Sequence, residues 1–166
     1  LSFVVDRRWT VIANTPPASE TEAAGGKKRM VFQKTPVMST YLLFFGVGDF
    51  EFIIDDLDRR VRAAVLPGMA GAARYGLAFA RKALHYCEHY YGINYPLPKL
   101  DLIAVPDFAF GAMENWGAIT FRENLILFDP DTTDIDGEER ICEVIAHEIA
   151  HQWYGNTVTP SDWKYL

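Results

Sequence analysis

Between residues 137 and 153 the apolar side chains Ile141, Val144, Ile145 and Ile149 recur three or four positions apart. That spacing confines them to one face of an α-helix, and such a stripe has to be buried against another layer of structure. The start of the helix is also marked. Asp136 is placed to cap the first turn, Glu139 reaches back three residues later in a capping box, and both acids favour the positive end of the helix dipole. The helix is expected to end near Gly155-Asn156. In this register His147 and His151 stand four apart on one face, in the final turns, with Cβ atoms about 5 to 6 Å from each other.

The segments around this helix change style along the chain. Up to about Ile54, short β-branched and aromatic runs alternate with turn signals at residues 3–5, 9–13, 30–32, 42–47 and 50–54, which reads as antiparallel sheet. Residues 14–26, with Pro16, Pro17 and the pair Gly25-Gly26, read as a long mobile surface loop. Asp55-Asp56 is a candidate boundary dividing residues 1–55 from 56–166. Beyond it lie a strand at 61–66 and a helix whose stripe is Leu77, Ala80, Leu84, Cys87 and Tyr91, ended by Gly92. Further strands are expected at 100–105, 118–121 and 125–128. Strands first, then strands mixed with helices, place the chain in the α+β class.

Composition removes several functions. A chain of 166 residues, 49% hydrophobic, has enough apolar surface for an ordinary packed core. Sixteen basic against 22 acidic residues give a net charge of -6, which repels phosphate backbones and argues against nucleic acid as a partner. The most apolar stretch, residues 41–48, is far shorter than the roughly 20 residues that span a bilayer. The first residues carry no charged leader before an apolar run, so they do not resemble a signal peptide, and the true start is expected upstream. The cellular site is not readable from these residues; a cytoplasmic location is weakly favoured. Cys87 and Cys142 sit in helical segments without metal-ligand spacing and are expected as free buried thiols.

The chemistry concentrates in His147-Glu148-Ile149-Ala150-His151. Two imidazoles on one helical face can place ring nitrogens on one zinc ion at about 2.0 to 2.1 Å, and Glu148 then stands beside the metal without ligating it. A carboxylate there can accept the proton of a water attacking a carbonyl carbon, which is why His-Glu-x-x-His marks metalloproteases. His85 and His89 share the four-residue spacing but lack the glutamate, and they are expected as solvated surface histidines. Met113, Trp116, Trp153 and Tyr154 read as wall residues.

A second motif stands about thirty residues upstream: Gly111-Ala112-Met113-Glu114-Asn115-Trp116-Gly117. Seen alone it reads as a tight turn with a solvated glutamate. Together with the stretch from His147 to Asn156, it resembles the aminopeptidase N family of gluzincin zinc metallopeptidases. The resemblance extends through Tyr95 to Leu102, Pro106 to Phe108 and Val158 to Lys164, and more weakly through Pro36 to Tyr41 and Gly48 to Glu51.

That resemblance implies that residues 1–55 are the end of the family's N-terminal β domain and 56–166 the front half of its thermolysin-like catalytic domain. It implies His147 and His151 as zinc ligands, Glu148 as general base, and Glu114 as the carboxylate that receives a substrate's free α-amino group. Gly111 and Ala112 would offer backbone groups to the bound peptide. A carboxylate facing a protonated amine forms a charge-assisted bond that an acylated terminus cannot make, so the implied substrates are peptides with a free N-terminus. The family's third zinc ligand, a glutamate nineteen positions after the second histidine, would fall four residues beyond Leu166. The chain is therefore expected to be a fragment lacking N- and C-terminal parts of its parent and inactive by itself. A thermolysin-like endopeptidase and a non-catalytic binding module are the competing readings.

Overall fold

The strands Val61–Val65 (β7), Leu100–Val105 (β8) and Ala118–Arg122 (β10) are almost wholly buried. β8 lies between the other two, parallel to both. Near-continuous apolar runs such as Leu102-Ile103-Ala104 suit strands covered on both faces. Two antiparallel edge strands, Glu51–Ile54 (β6) and Ala112–Met113 (β9), complete a five-stranded sheet of order β6-β7-β8-β10-β9. The computed structural model describes residues 1–162 and Lys164. Trp163, which falls within one of the stretches that carry the resemblance, lies outside them together with Tyr165 and Leu166.

A parallel pair needs a crossover, and the helix Ala70–Tyr91 (α1) supplies it between β7 and β8. α1 packs beside the helix Ile135–His151 (α2) on one face of the sheet. There Leu77, Ala80 and Leu84 of α1 meet Ile141, Ile145 and Ile149 of α2 in the main core, over Ala63, Leu102 and Ile119 of the strands. The opposite face of the sheet is covered from the N-terminal part of the chain. Ile12 joins Ala64, Ile103 and Ala118, with Phe44 and Phe50 packed against them.

That N-terminal part holds a three-stranded antiparallel sheet of Ser2–Asp6 (β1), Lys27–Phe32 (β4) and Pro17–Ala23 (β3), in the order β1-β4-β3. Thr10–Ala13 (β2) pairs with Phe45–Gly48 (β5). The boundary expected between residues 1–55 and 56–166 falls in the turn joining β6 to β7, two strands that pair in the main sheet.

Several local expectations change. Residues 14–26 are not a mobile loop. Asn14 and Thr15 are buried, and β3 is an edge strand hydrogen-bonded to β4. β3 is solvated along most of its length, so it has no apolar alternation to betray it. It is held by backbone pairing, by the ion pairs Glu20–Lys28 and Glu22–Arg7, and by a reversal at Gly25 and Gly26 with φ of 72° and 71°. Those positive dihedrals suit glycine best.

Residues 40–42 form a 3₁₀ turn before β5. Residues 125–128 are not a strand either: a 3₁₀ turn over Glu123–Leu125 leads into a segment whose Phe128 N–H donates to Ala72 O at the start of α1. The cap of α2 is Asp134, whose Oδ1 accepts from Gly137 N at 2.8 Å, while Asp136 lies inside the first turn. Asp134 has the extended backbone a cap requires.

Candidate active site

The stripe expected on α2 is buried as predicted, and that fixes where its remaining residues point. His147 and His151 leave the helix on one side, with their Nε2 atoms 3.0 Å apart and ring centroids 4.6 Å apart. The carbonyl of Tyr154 lies 3.0 Å from His151 Nδ1. A carbonyl can only accept, so Nδ1 carries the proton and the lone pair of His151 is on Nε2, the atom turned toward His147.

Glu148 is 6% exposed, and its Oε2 has no hydrogen-bond partner. Burial, followed by the charge of Glu114, pushes its carboxyl up to about 7. A carboxylate in a poorly solvated site prefers to hold a proton, and a second carboxylate nearby strengthens that preference. Glu114 is thus placed within electrostatic reach of the helix that carries the histidines.

Glu114 stands in the turn between β9 and β10. Arg122 N donates to Gly111 O, and Ala112 pairs next with Phe121. Antiparallel ladders alternate, so the N–H and C=O of Ala112 face away from β10, toward an edge that has no further strand among the described residues. The hydroxyl of Tyr41 donates to the Glu114 carboxylate, and burial together with that charge raises the pKa of the phenol. Tyr41, Glu114, His151, Tyr154 and Thr159 share the wall of one cleft of about 550 Å³.

The turn itself is braced from three sides by groups that sequence reasoning did not single out. Asn14 Nδ2 donates to Trp116 O and Leu42 O, both at 2.9 Å. Lys99 Nζ donates to Gly117 O at 2.7 Å and to Ala13 O at 2.5 Å while pairing with the fully buried Asp101. Gln152 and Asn156, just beyond α2, bond to Glu114 O. Gly117 has φ +76°, and a Cβ there would stand 2.5 Å from Asn14 O, so only glycine fits where the turn crosses the N-terminal segment. These are polar residues whose burial comes from the assembled fold.

His85 and His89 lie elsewhere, on the exposed side of α1, where His85 Nε2 meets Asp58 Oδ2 at 2.8 Å. Cys87 and Cys142 are free thiols, but only Cys87 is buried; Cys142, on the second helix, is half-buried, with its Sγ 3.2 Å from the Tyr75 hydroxyl. Trp116 and Trp153 are buried; Tyr154 is exposed at the cleft.

The family of the peptidase family M1 domain matches residues 75–166, which span α1, the Glu114 turn and the histidine helix. The chain belongs to peptidase family M1. Along its whole length it is 48% identical to a probable aminopeptidase 2 of Sulfurisphaera tokodaii. It is 46% identical to a leucyl aminopeptidase of Saccharolobus solfataricus and 42% identical to a puromycin-sensitive aminopeptidase of Caenorhabditis elegans. The chain spans about a fifth of the length of these relatives, 21%, 21% and 18% respectively. The resemblance to the aminopeptidase N family is thereby established over the chain as a whole. No helix among the described residues is long and apolar enough to cross a membrane.

Proposed function

We propose that the protein containing this chain is a zinc aminopeptidase that hydrolyses the first peptide bond of peptides with a free N-terminus. The observation that carries this reading is the convergence of three things: the paired Nε2 atoms of His147 and His151, the unpartnered buried carboxylate of Glu148, and the Glu114 carboxylate on the adjoining cleft wall.

The donor set fits zinc. Two tetrahedral ligands at about 2.0 to 2.1 Å would have their nitrogens about 3.3 Å apart, close to the 3.0 Å between the two Nε2 atoms. Tyr154 O fixes the His151 tautomer that such binding needs. Among the described residues no group of three or more His, Cys, Asp or Glu forms a metal cluster, so a further ligand is required, and the glutamate expected four residues past Leu166 is the candidate. When bound, zinc would polarise the scissile carbonyl and make water acidic enough to attack at neutral pH.

Glu148 takes up the proton of the attacking water and returns it to the departing amine nitrogen. A carboxyl whose pKa is pushed to about 7 is suited to both halves of that exchange. Glu114 receives the protonated α-amino group and so fixes which bond lies opposite Glu148. The outward N–H and C=O of Ala112 can extend the sheet by one strand of substrate, while the Gly111 carbonyl is engaged by Arg122.

The test is made in the full-length protein. His151→Ala should lower the zinc content measured by elemental analysis. Glu114→Gln should erase the preference for a peptide over its N-acetylated form while zinc content stays at the wild-type level. A Glu114→Gln protein that still discriminates against acetylated peptides would refute the aminopeptidase assignment.

A further inference from the structure

Gln152 directly follows the second histidine and has 0% exposure. Its side-chain amide joins the end of the histidine helix to the turn over residues 114–117. Oε1 accepts from Gly117 N at 3.2 Å, and Nε2 donates to Glu114 O and to Glu148 O, each at 3.2 Å. Asn156, 2% exposed, adds a second donor to the same carbonyl, with Nδ2 2.9 Å from Glu114 O. The residue that faces the cleft thus has its carbonyl gripped twice from the segment that ends the histidine helix. One amide also holds both ends of the turn over residues 114–117. The amide offers two donor hydrogens and an acceptor together: a carboxylate would offer acceptors alone, and an apolar chain neither.

We propose that Gln152, assisted by Asn156, is a positioning residue that sets the spacing between the Glu114 carboxylate and the histidine pair, and thereby the selectivity for the first bond of a free-amine peptide. The inference rests on the reading of Glu114 as the amino-group anchor. Neither amide touches substrate. Both act by fixing the backbone from which Glu114 extends, and small displacements of an anchor are costly because the reacting atoms must meet within a few tenths of an ångström.

The experiment uses the full-length protein with Gln152→Met and Asn156→Leu, each close in volume to the native residue and unable to donate. For each variant kcat and KM are measured on a peptide and on its N-acetylated form, alongside zinc content and thermal unfolding. Expected is a fall of about 10- to 100-fold in the preference for the free amine, carried mainly by a raised KM for the free peptide, with wild-type zinc content. Wild-type discrimination in both variants overturns the proposal, whatever their unfolding temperature, since loss of folded enzyme lowers both substrates alike. If Gln152→Met does not fold, Asn156→Leu, which removes a single bond to Glu114 O, decides the matter. Loss of discrimination in Glu114→Gln without loss in these two variants defeats the positioning role alone. A wild-type enzyme that does not discriminate, or a Glu114→Gln variant that still does, defeats the anchor reading and this inference with it.

Discussion

Replacing Glu148 with glutamine in the metal-free 166-residue chain should stabilise it at alkaline pH and leave its stability nearly unchanged at acid pH. The fold holds this carboxyl at 6% exposure, leaves Oε2 without a partner, and places the Glu114 charge nearby. In the unfolded chain the group titrates near its ordinary value of 4.5, whereas in the folded chain it titrates near 7. Between those limits the folded state binds the extra proton, so stability is lost as pH rises through that window. Below it both states are protonated and the site contributes nothing. Above it the penalty is complete, at most about 3 kcal/mol and nearer about 2 kcal/mol once solvent screening is allowed for.

Glutamine carries no charge in either state and escapes that penalty. Chelator-treated wild type and Glu148→Gln are to be compared by thermal unfolding at pH 4 and pH 8. Their midpoints should nearly coincide at pH 4 and separate by about 4 to 8 °C in favour of glutamine at pH 8. Because other titrating groups are common to both proteins, only the change in that difference counts. The same offset at both pH values, or an offset favouring glutamate at pH 8, would refute the argument that desolvation dominates this site.

Two further outcomes follow from the braces and caps. Lys99→Met, measured by denaturant unfolding, should cost about 2 to 3 kcal/mol, because it removes the Nζ bonds to the Ala13 and Gly117 carbonyls and takes a cation from beside buried Asp101, which Arg62 also pairs; a loss below about 1 kcal/mol would contradict the role of Lys99. Asp134→Ala should cost about 1 kcal/mol as the loss of an N-cap, whereas Asp136→Ala, which removes only a charge from the first turn, should cost a few tenths; equal effects in the same unfolding assay would argue against Asp134 as the cap.

How far the sequence could be read depended on whether a residue's role was repeated along the chain. α1 and α2 were legible because their stripes recur every three or four residues, and β7, β8 and most of β10 because runs such as Leu100 to Val105 have no polar face. β3 was illegible because an exposed edge strand is held by its neighbour's backbone, which leaves no mark on its own side chains. The cap of α2 was displaced by two residues because Asp134 and Asp136 are both chemically able to cap, and only the extended backbone at Asp134 decides between them. The strand expected at 125–128 fails because Ile126 and its neighbours are buried against α1 and α2 without a ladder partner, a circumstance that apolar runs do not encode.

For the site the division is similar. By itself the sequence determined that His147 and His151 share one helical face with Glu148 between them, since that follows from the 3.6-residue period alone, and it supplied Glu114 through the likeness of its loop to one family. Only the tertiary structure decided that Glu148 lies dry enough to titrate near neutrality, that Tyr41 from the N-terminal segment reaches the Glu114 carboxylate, and that Gln152 and Asn156 clamp the backbone beneath it. Burial and long-range hydrogen bonds depend on which surfaces meet. Residues 14, 41, 99, 114 and 152 meet only after the sheet has brought together segments more than a hundred positions apart.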